Sequence, residues 1–271
     1  MYSCVHTHTN LTDGINSPDE MARAAYEQGI SVFGFSEHCW NADENFGLYP
    51  DKIDAYCDNV DRLKKEYAGR MEILCGIEID EKAPEETDLS RMDYIIGSSH
   101  FVKDKRGVYV PVDHTIDFLR QGIKEGFDGS YKAFIESYFE QFCKYIKVLK
   151  PDIIGHVDLY CKYNAAGEFF DENAKWYRKL ALSYIDELLS YDIVFEMNTG
   201  AISRGYMSRP YPDSFILQRI LEKKGRIIIT SDSHTKDSLK AFFNESEGIL
   251  KNVGFTEVCE LTSKGFISRK L

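Results

Sequence analysis

The stretch RIIITSDSH, residues 226–234, joins an uninterrupted apolar run to a cluster of polar side chains. The three isoleucines at 227–229 are β-branched and show no polar alternation, which is typical of a strand buried on both faces in a parallel sheet. Asp232 and His234 follow at the end of this run. The stretch therefore predicts a central parallel strand whose carboxyl end carries functional side chains.

Similar apolar runs, rich in β-branched and aromatic residues, predict further strands along the chain. They cover Tyr2–His6, Ser31–Ser36, Glu72–Glu78, Asp93–Ser98, Asp152–His156, Ile193–Asn198 and Thr256–Leu261. Apolar residues at helical spacing separate these runs. The predicted helices are one that Ser17-Pro18-Asp19-Glu20 opens and Gly29 closes, and then Ile53–Tyr67, Tyr131–Leu149, Ala174–Ser190 and Ser214–Lys224. Because strands and helices alternate, we predict an α/β fold.

The position of the polar motifs favours a closed barrel over an open sheet. Nearly every motif falls at the carboxyl end of a predicted strand, where α/β barrels place their active sites. A doubly wound sheet collects its ligands at one crevice, from fewer strands. We expect the longest connection, Phe101–Lys150, to carry a helix and a loop over the barrel mouth. Residues 1–271 are predicted to form one barrel domain.

Composition narrows the choice of partners and compartment. The formal net charge of −11 repels nucleic acid and anionic lipid, but it is compatible with a small phosphorylated substrate if bound cations reverse the local charge. Seven scattered cysteines form no CxxC pair and argue against a disulfide framework. No signal peptide or membrane-spanning stretch is recognisable, so we expect a cytoplasmic protein. The oligomeric state stays open.

Six of the seven histidines lie at the ends of apolar runs with polar or acidic neighbours. They occur in Val5-His6-Thr7-His8, Ser36-Glu37-His38, Ser98-Ser99-His100, Gly155-His156-Val157-Asp158 and Ser231-Asp232-Ser233-His234. The seventh, His114, is expected in a loop near the mouth. Neutral imidazole is a common metal ligand, and carboxylates add charge and bridging oxygens. The pattern predicts a multinuclear metal site, and with it a hydrolase.

The spacing within these motifs suggests how the ligands are directed. His6 and His8 would point to the same side of a strand, because side chains alternate with a period of two. Glu78 closes an apolar run, and its carboxylate could bridge two cations. Asp13 lies in a turn-like segment that could fold back toward the histidines. Asp80 and Glu81, just after Glu78, are expected to face solvent.

Together, the HxH motif, the acid–histidine pair, the strand-ending glutamate, the single histidines and the late DxH resemble the PHP (polymerase and histidinol phosphatase) superfamily. The resemblance runs from His6 to His234, and the order and spacing of the motifs make it specific. Gly97-Ser98-Ser99-His100-Phe101 and Glu196-Met197-Asn198-Thr199 are similar to its monofunctional histidinol-phosphatase branch. Glu37 stands where many relatives have aspartate, and its role stays open.

This resemblance implies a distorted (β/α)7 TIM-like barrel and a centre of three divalent metal ions. The ligand types suit zinc, manganese, iron or cobalt. The implied ligands are His6, His8, Glu78 and Asp232 for the first ion, Glu78, His100 and His156 for the second, and Asp13, His38 and His234 for the third. Catalytic roles are expected for Glu78, Asp232 and His234. The implied reaction is attack of a metal-bound hydroxide on phosphorus, which releases L-histidinol and phosphate from L-histidinol phosphate in histidine biosynthesis.

Residues around these motifs are candidates for substrate contacts. Arg204 is the first candidate for a phosphate clamp, since guanidinium can bind two oxygens at once, and Lys162 and Arg209 follow it. Asp158 could donate a proton to the leaving group or bind the substrate amine. Imidazole recognition is expected from the long connection, around Phe101, Val102 and Tyr109.

Three alternatives stay open from the sequence. The first is a phosphoesterase of the same superfamily that acts on another small phosphate or on phosphotyrosine. The second is a non-catalytic module like the PHP domains of bacterial replicative polymerases, which the filled ligand positions disfavour. The third is a metal-dependent amidohydrolase, although such enzymes usually have a lysine bridge where Glu78 stands.

Overall fold

A computed structural model describes residues 2–42, 47–164 and 167–271. Within these ranges the main sheet has nine strands. They are β1 Ser3–Cys4, β2 Val32–His38, β3 Glu72–Ile79, β4 Tyr94–Gly97, β7 Ile153–Ile154, β8 Val194–Asn198, β9 Ile227–Thr230, β10 Glu257–Thr262 and β11 Gly265–Lys270. A separate hairpin comprises β5 Phe101–Lys103 and β6 Tyr109–Pro111. All eight strands predicted from apolar runs are present.

The sheet order follows the chain, and every pairing up to β10 is parallel. The first and seventh parallel strands then meet, because Thr7 forms a parallel bridge with Ser233 beyond β9. The His8 amide donates to the Ser233 carbonyl at 2.8 Å. At the opposite end β10 lies beside β1, where the amide of Leu261 donates to Ser3 Oγ at 3.2 Å. The α/β barrel is therefore closed but distorted, as predicted.

Helices cover the outside of the barrel. They are α1 Pro18–Glu27, α2 Ile53–Glu66, α3 Ile116–Gly126, α4 Tyr131–Leu149, α5 Lys175–Leu189, α6 Gly200–Ser203, α7 Ser214–Glu222 and α8 Phe243–Val253. The five predicted helices are confirmed to within two residues at each end. Ser17 caps α1 with a reciprocal bond to Glu20, as the sequence indicates. No helix in the described ranges is long and apolar enough to cross a membrane.

Sequence reasoning missed the hairpin, the last strand β11 and the helices α3, α6 and α8. The connection after β4 carries the hairpin and two helices, α3 and α4, whereas one helix was predicted for it. Strands of three residues, such as β5, show no readable alternation. Helix α8 begins at Phe243 after Phe242 in the left-handed region, without a capping side chain. The hairpin and the start of α8 therefore lack the local signals on which sequence prediction depends. Helix α3 has such a signal, because Thr115 caps it and accepts a hydrogen bond from the Phe118 amide.

The barrel interior is filled by side chains from all its strands. Val5, Val32, Leu74, Tyr94, Ile96, Ile153, Val194, Ile228 and Leu261 form one buried cluster. Tyr94 crosses this interior and donates to the carbonyls of Val5 at 2.6 Å and Phe35 at 2.8 Å. Gly76 makes room for it, since a Cβ there would lie 2.2 Å from the Tyr94 ring. This filled layer closes the barrel beneath its polar end.

Candidate metal centre and substrate cavity

The nine predicted metal ligands converge at the carboxyl end of the barrel. They are His6 and His8 after β1, Asp13 in the following loop, His38 at the end of β2, Glu78 in β3, His100 after β4, His156 after β7, and Asp232 and His234 after β9. The parallel register pairs His38 directly with Glu78. Asp232, two residues beyond the end of β9, adopts a left-handed conformation with φ 47°.

The first group surrounds the two histidines of the HxH motif. His6 Nε2 lies 3.3 Å from Glu78 Oε2 and 3.7 Å from Asp232 Oδ1. His8 Nε2 lies 3.2 Å from the same Asp232 oxygen and 3.6 Å from Glu78 Oε2. All four side chains are buried. His6, His8 and Asp232 each bring one ligand atom within 4.8 Å of the others, an arrangement that can hold one divalent cation, and Glu78 Oε2 lies beside both histidines.

Glu78 stands between this group and the next. Its Oε2 faces His6 and His8, whereas its Oε1 lies 3.0 Å from His156 Nε2 and 3.5 Å from His100 Nε2. Ser98 Oγ donates to Oε1 at 2.6 Å and fixes the carboxylate plane. With one oxygen directed to each side, Glu78 has the geometry of a bridge between two cations.

A third group lies nearer the mouth. Asp13 Oδ2 is 3.0 Å from His234 Nε2, and Asp13 Oδ1 is 3.7 Å from His38 Nε2. The His8 ring stacks on His38 with 4.2 Å between centroids and lies 4.4 Å from His234. His38 also approaches Glu78, with 3.0 Å between Nδ1 and Oε2. The donor atoms of His8 and His38 thus belong to two groups each.

The donor set fits divalent metal ions. No hydrogen bond of good geometry reaches the buried nitrogens His6 Nε2 and His8 Nε2 from any described residue, and orphaned polar atoms inside a protein are costly unless a ligand satisfies them. Burial and the nearby rings of His38 and His234 lower the pKa of His8 to about 3, so its imidazole is neutral. Burial would raise the pKa of Glu78, but His6 and other imidazoles bring it well below its usual value. A neutral His8 imidazole and an ionised Glu78 carboxylate are the forms in which these two side chains bind a metal ion.

Two buried carboxylates orient the ligands from behind. Glu196 Oε1 lies 2.5 Å from His6 Nδ1, and Asp80 Oδ2 lies 3.5 Å from His100 Nδ1. The prediction that Asp80 and Glu81 face solvent is wrong. Asp80 is only 8% exposed, and both Glu81 carboxylate oxygens are buried. Burial raises the pKa of Glu81 to about 8.

Glu37, whose role the sequence left open, fixes the loop that carries Asp13. Its buried carboxylate accepts hydrogen bonds from the Thr9 amide at 3.1 Å and from Thr12 Oγ1 at 2.5 Å. Both donors precede Asp13 in the same loop. Glu37 therefore acts on the third group through the backbone of this loop.

A cavity of about 210 Å³ opens above the three groups. Seven of the nine ligands line it, together with Asp113, Leu159, Lys162, Arg204 and Tyr206. Arg204 follows α6 and donates to the Asp232 carbonyl and to Asp232 Oδ2, both at 3.0 Å. Lys162 donates to Asp113 Oδ2 at 3.1 Å. Two basic side chains thus lie beside the ligand groups, where a phosphoryl group would need them.

Three predicted contact residues lie outside this cavity. Arg209 is paired with carboxylates, at 3.1 Å from Asp158 and 3.0 Å from Glu172, so the structure does not support it as a phosphate clamp. Asp158 is fully buried and accepts hydrogen bonds from Arg209 and the Asp213 amide, which argues against its role as proton donor or amine ligand. Phe101 is buried beneath the Lys82 ammonium, 3.8 Å from the ring centroid.

The long connection reaches the cavity through a different residue. Asp113 follows β6 and lines the cavity, whereas Val102 is buried in the core and Tyr109 contacts lysine ammonium groups. His114 is exposed and stacks on Phe118. Sequence reasoning missed Asp113, Tyr206 and Glu196. An acid inside the apolar run of β8 was a usable signal for Glu196, whereas Asp113 and Tyr206 lie in irregular segments without one.

Comparisons with known proteins agree with this architecture. A family model described as PHP domain matches residues 4–200. A Schizosaccharomyces pombe protein named "Probable histidinol-phosphatase" is 28% identical, over 94% of this chain and 85% of its own length. The histidinol-phosphatase of Bacillus subtilis is 23% identical, over 79% of this chain and 86% of its own length.

A solved structure shares the fold. It is a histidinol phosphate phosphatase from Lactococcus lactis, complexed with zinc, L-histidinol and phosphate. It superposes with a TM-score of 0.67 at 18% identity and covers 98% of both chains. The family model spans well over half of the chain, from the first strand past the end of β8. The chain belongs to the PHP domain family.

Proposed function

We propose that this protein is a metal-dependent phosphomonoesterase that hydrolyses L-histidinol phosphate to L-histidinol and phosphate in histidine biosynthesis. The observation that carries the proposal is the convergence of nine metal-ligand side chains beneath a cavity that also holds Lys162 and Arg204. Relatives named histidinol-phosphatase match most of the chain, and their names are the basis for proposing L-histidinol phosphate as the substrate. The reaction is hydrolysis of a phosphoric monoester.

The metal centre is proposed to hold three divalent cations, of zinc, manganese, iron or cobalt. The proposed ligands are His6, His8, Glu78 and Asp232 for one, Glu78, His100 and His156 for another, and Asp13, His38 and His234 for the outermost. When bound, such ions supply a nucleophile from water at neutral pH and neutralise charge on the phosphoryl oxygens. Glu78 contributes by holding two ligand groups at a fixed separation, one with each oxygen.

The basic side chains act on the phosphoryl group. Arg204 presents a planar guanidinium that can bind two phosphoryl oxygens, and its bonds to Asp232 hold it beside the ligand groups. Lys162 adds a second positive charge to the wall of the same cavity. Asp113 orients this ammonium and leaves a carboxylate at the cavity wall. Because the substrate carries an amine, we assign Asp113 to that end of the substrate.

Residues 1–271 are proposed to act as one barrel domain, and the formal charge of −11 suits a small-molecule substrate better than nucleic acid or a membrane surface. A cytoplasmic location is proposed because all seven cysteines are free thiols, although Cys57 Sγ and Cys75 Sγ lie 3.8 Å apart. Such thiols are stable in a reducing compartment.

Substrate turnover tests the proposal. Metal-quantified protein should release phosphate from L-histidinol phosphate in preference to p-nitrophenyl phosphate, nucleotide monophosphates, sugar phosphates and a phosphotyrosine peptide, and chelation should abolish the activity. Better turnover of another phosphate would keep the phosphoesterase and refute the substrate. Cleavage of amide substrates alone would favour the amidohydrolase alternative.

A further inference from the structure

We propose that Glu196 is a positioning residue that fixes the His6 imidazole for one metal ion and couples it to His156, a ligand of the next. This inference rests on the proposed metal centre but not on the identity of the substrate. Glu196 lies in the middle of β8, between Phe195 and Met197, and is 1% exposed. A carboxylate in such a position is costly unless every lone pair is used.

Each oxygen of Glu196 has its own partners. Oε1 accepts from Thr230 Oγ1 at 2.5 Å and lies 2.5 Å from His6 Nδ1. Oε2 accepts from the His156 amide at 2.7 Å and from Asn198 Nδ2 at 3.0 Å. The carboxylate therefore links the segments after β1 and β7 to β8 and β9. Three of the four partners are donors, and none is a carbonyl or carboxylate that would take a proton from Glu196.

This environment determines the state of the His6 ring. An ionised carboxylate only accepts hydrogen bonds, so Nδ1 of His6 carries the ring proton and donates it to Glu196. A histidine that binds a metal ion through its other nitrogen must have that nitrogen unprotonated, with its lone pair free. That nitrogen, Nε2, faces Glu78 and Asp232 in the first ligand group. Glu196 thereby directs the lone pair at the metal position.

The same carboxylate reaches the second metal group and the phosphate clamp through the backbone. Its bond to the His156 amide sets the start of the segment that directs the His156 ring toward Glu78. Asn198, which donates to Glu196, accepts from the Gly200 amide at 2.8 Å through its Oδ1. Gly200 begins α6, and Arg204 follows the end of that helix. The buried Glu196 side chain is thus connected by hydrogen bonds to residues of two ligand groups and to the segment that carries Arg204.

Glu196→Gln tests the tautomer directly because it preserves size and most hydrogen bonds. The glutamine oxygen must face the two donors His156 N–H and Asn198 Nδ2, whose own orientation is fixed by Gly200. The amide NH2 then faces His6 Nδ1 and donates to it. The His6 proton is forced to Nε2, where it blocks metal binding. Glu196→Ala, in contrast, leaves a cavity but imposes neither tautomer on His6, so Nε2 can still be unprotonated.

A matched control is Glu260→Gln at the other end of the barrel. Glu260 is also buried, and it accepts from the Ser3 amide, Ser3 Oγ and Arg269 Nε at 2.5–2.7 Å. It has no contact with the metal ligands among the described residues. The same chemical change there can lower stability without touching a ligand.

The measurements are bound metal per chain, zinc affinity by competition with a chelator, the visible spectrum of cobalt-loaded protein, and thermal stability without metal. We expect Glu196→Gln to bind metal about 10- to 100-fold more weakly, to lose about one ion per chain and to change the cobalt spectrum. Glu260→Gln should keep wild-type metal content. Glu196→Ala should retain more metal than Glu196→Gln, an order that a purely structural role would reverse.

Wild-type metal content and affinity in folded Glu196→Gln would overturn the inference, as would equal losses in Glu196→Gln and Glu260→Gln. If Glu196→Ala fails to fold, the comparison of the two glutamine variants still decides. Wild-type protein that binds no metal would refute the metal centre itself. Full metal binding without turnover of L-histidinol phosphate would refute the proposed substrate and leave the role of Glu196 intact.

Discussion

The two ends of the barrel bury carboxylates in opposite ways. At the amino end, Glu260 accepts hydrogen bonds from Ser3 and Arg269, and Arg269 is also paired with Glu247 at 2.8 Å. At the carboxyl end, Glu78 and Asp232 lie among imidazoles, and buried nitrogens of His6 and His8 have no hydrogen bond from the described residues. At the amino end, the chain itself provides partners for the buried carboxylate. At the carboxyl end, we propose that bound cations provide the missing partners for the buried imidazole nitrogens.

This difference separates a structural cluster from a functional one. Burying a charge is costly, and a complete set of partners at Glu260 offsets that cost within the chain. At the histidine-rich end the carboxylates are also stabilised, but the buried nitrogens His6 Nε2 and His8 Nε2 have no hydrogen-bond partner among the described residues, which is typical of sites where a ligand supplies the remaining interactions. Substitutions at the histidine-rich end should therefore change metal binding and activity, whereas substitutions at Glu260 should change stability alone.

The largest effect is expected for Glu78→Ala, which removes the bridging carboxylate. Metal content should fall, and phosphate release should drop about a thousandfold or more, since Lewis-acid stabilisation is worth several kcal/mol and about 1.4 kcal/mol is a factor of ten. Metal analysis and steady-state kinetics on the same sample measure both. Full activity with full metal content would refute the bridge.

Arg204→Lys should lower kcat about a hundredfold, because lysine keeps the charge but loses the two-pronged contact with phosphoryl oxygens. Arg219→Lys is the control, since Arg219 bonds Asp186 and Glu222 on the outer surface. Kinetics of both variants with saturating metal make the comparison. Similar kcat values in the two variants would show that Arg204 serves only to hold Asp232.

Asp113→Asn should change selectivity more than chemistry. Loss of the charged contact to the substrate amine should raise KM for L-histidinol phosphate about tenfold and leave KM for p-nitrophenyl phosphate unchanged. Asp117→Asn, an exposed neighbour on α3, is the control. If Asp113→Asn raises KM equally for both substrates, the role of Asp113 is to orient Lys162 for the phosphate and not to bind the amine.

The smallest effect on activity is expected at the amino end. Glu260→Gln should lower the free energy of unfolding by about 2 kcal/mol, because charged hydrogen bonds to Ser3 and Arg269 are weakened. Metal content and kcat should stay at wild-type values. Chemical denaturation of the metal-free protein measures the first, and a loss of metal in this variant would remove the contrast between the two ends.

The convergence of the proposed ligands could be predicted from sequence because all of them except Asp13 are histidines or carboxylates at or just after the ends of apolar runs. Asp232 and His234 after the isoleucines of 227–229, and Glu78 near the end of β3, indicate both the parallel strands and their polar ends. The closure of the barrel follows from the same feature, since ligands from so many strands need to meet.

What the sequence could not reveal depends on side chains that meet across long separations. Arg209 was a reasonable phosphate candidate until the fold brought Asp158 and Glu172 to it and occupied its guanidinium. Asp80 was expected in solvent because nothing local shows that His100 lies above it. Asp113 belongs to a connection of short strands, so neither its approach to Lys162 nor its position in the cavity had a local signal.

The most direct test is a metal titration of protein freed of metal by chelation, with phosphate release from L-histidinol phosphate as the readout. We expect no release from the metal-free protein, and a rise with added zinc or manganese that saturates when the ions reach a fixed small number per chain. Full phosphate release by demonstrably metal-free protein would contradict the central claim that the histidine-rich end works only with bound cations.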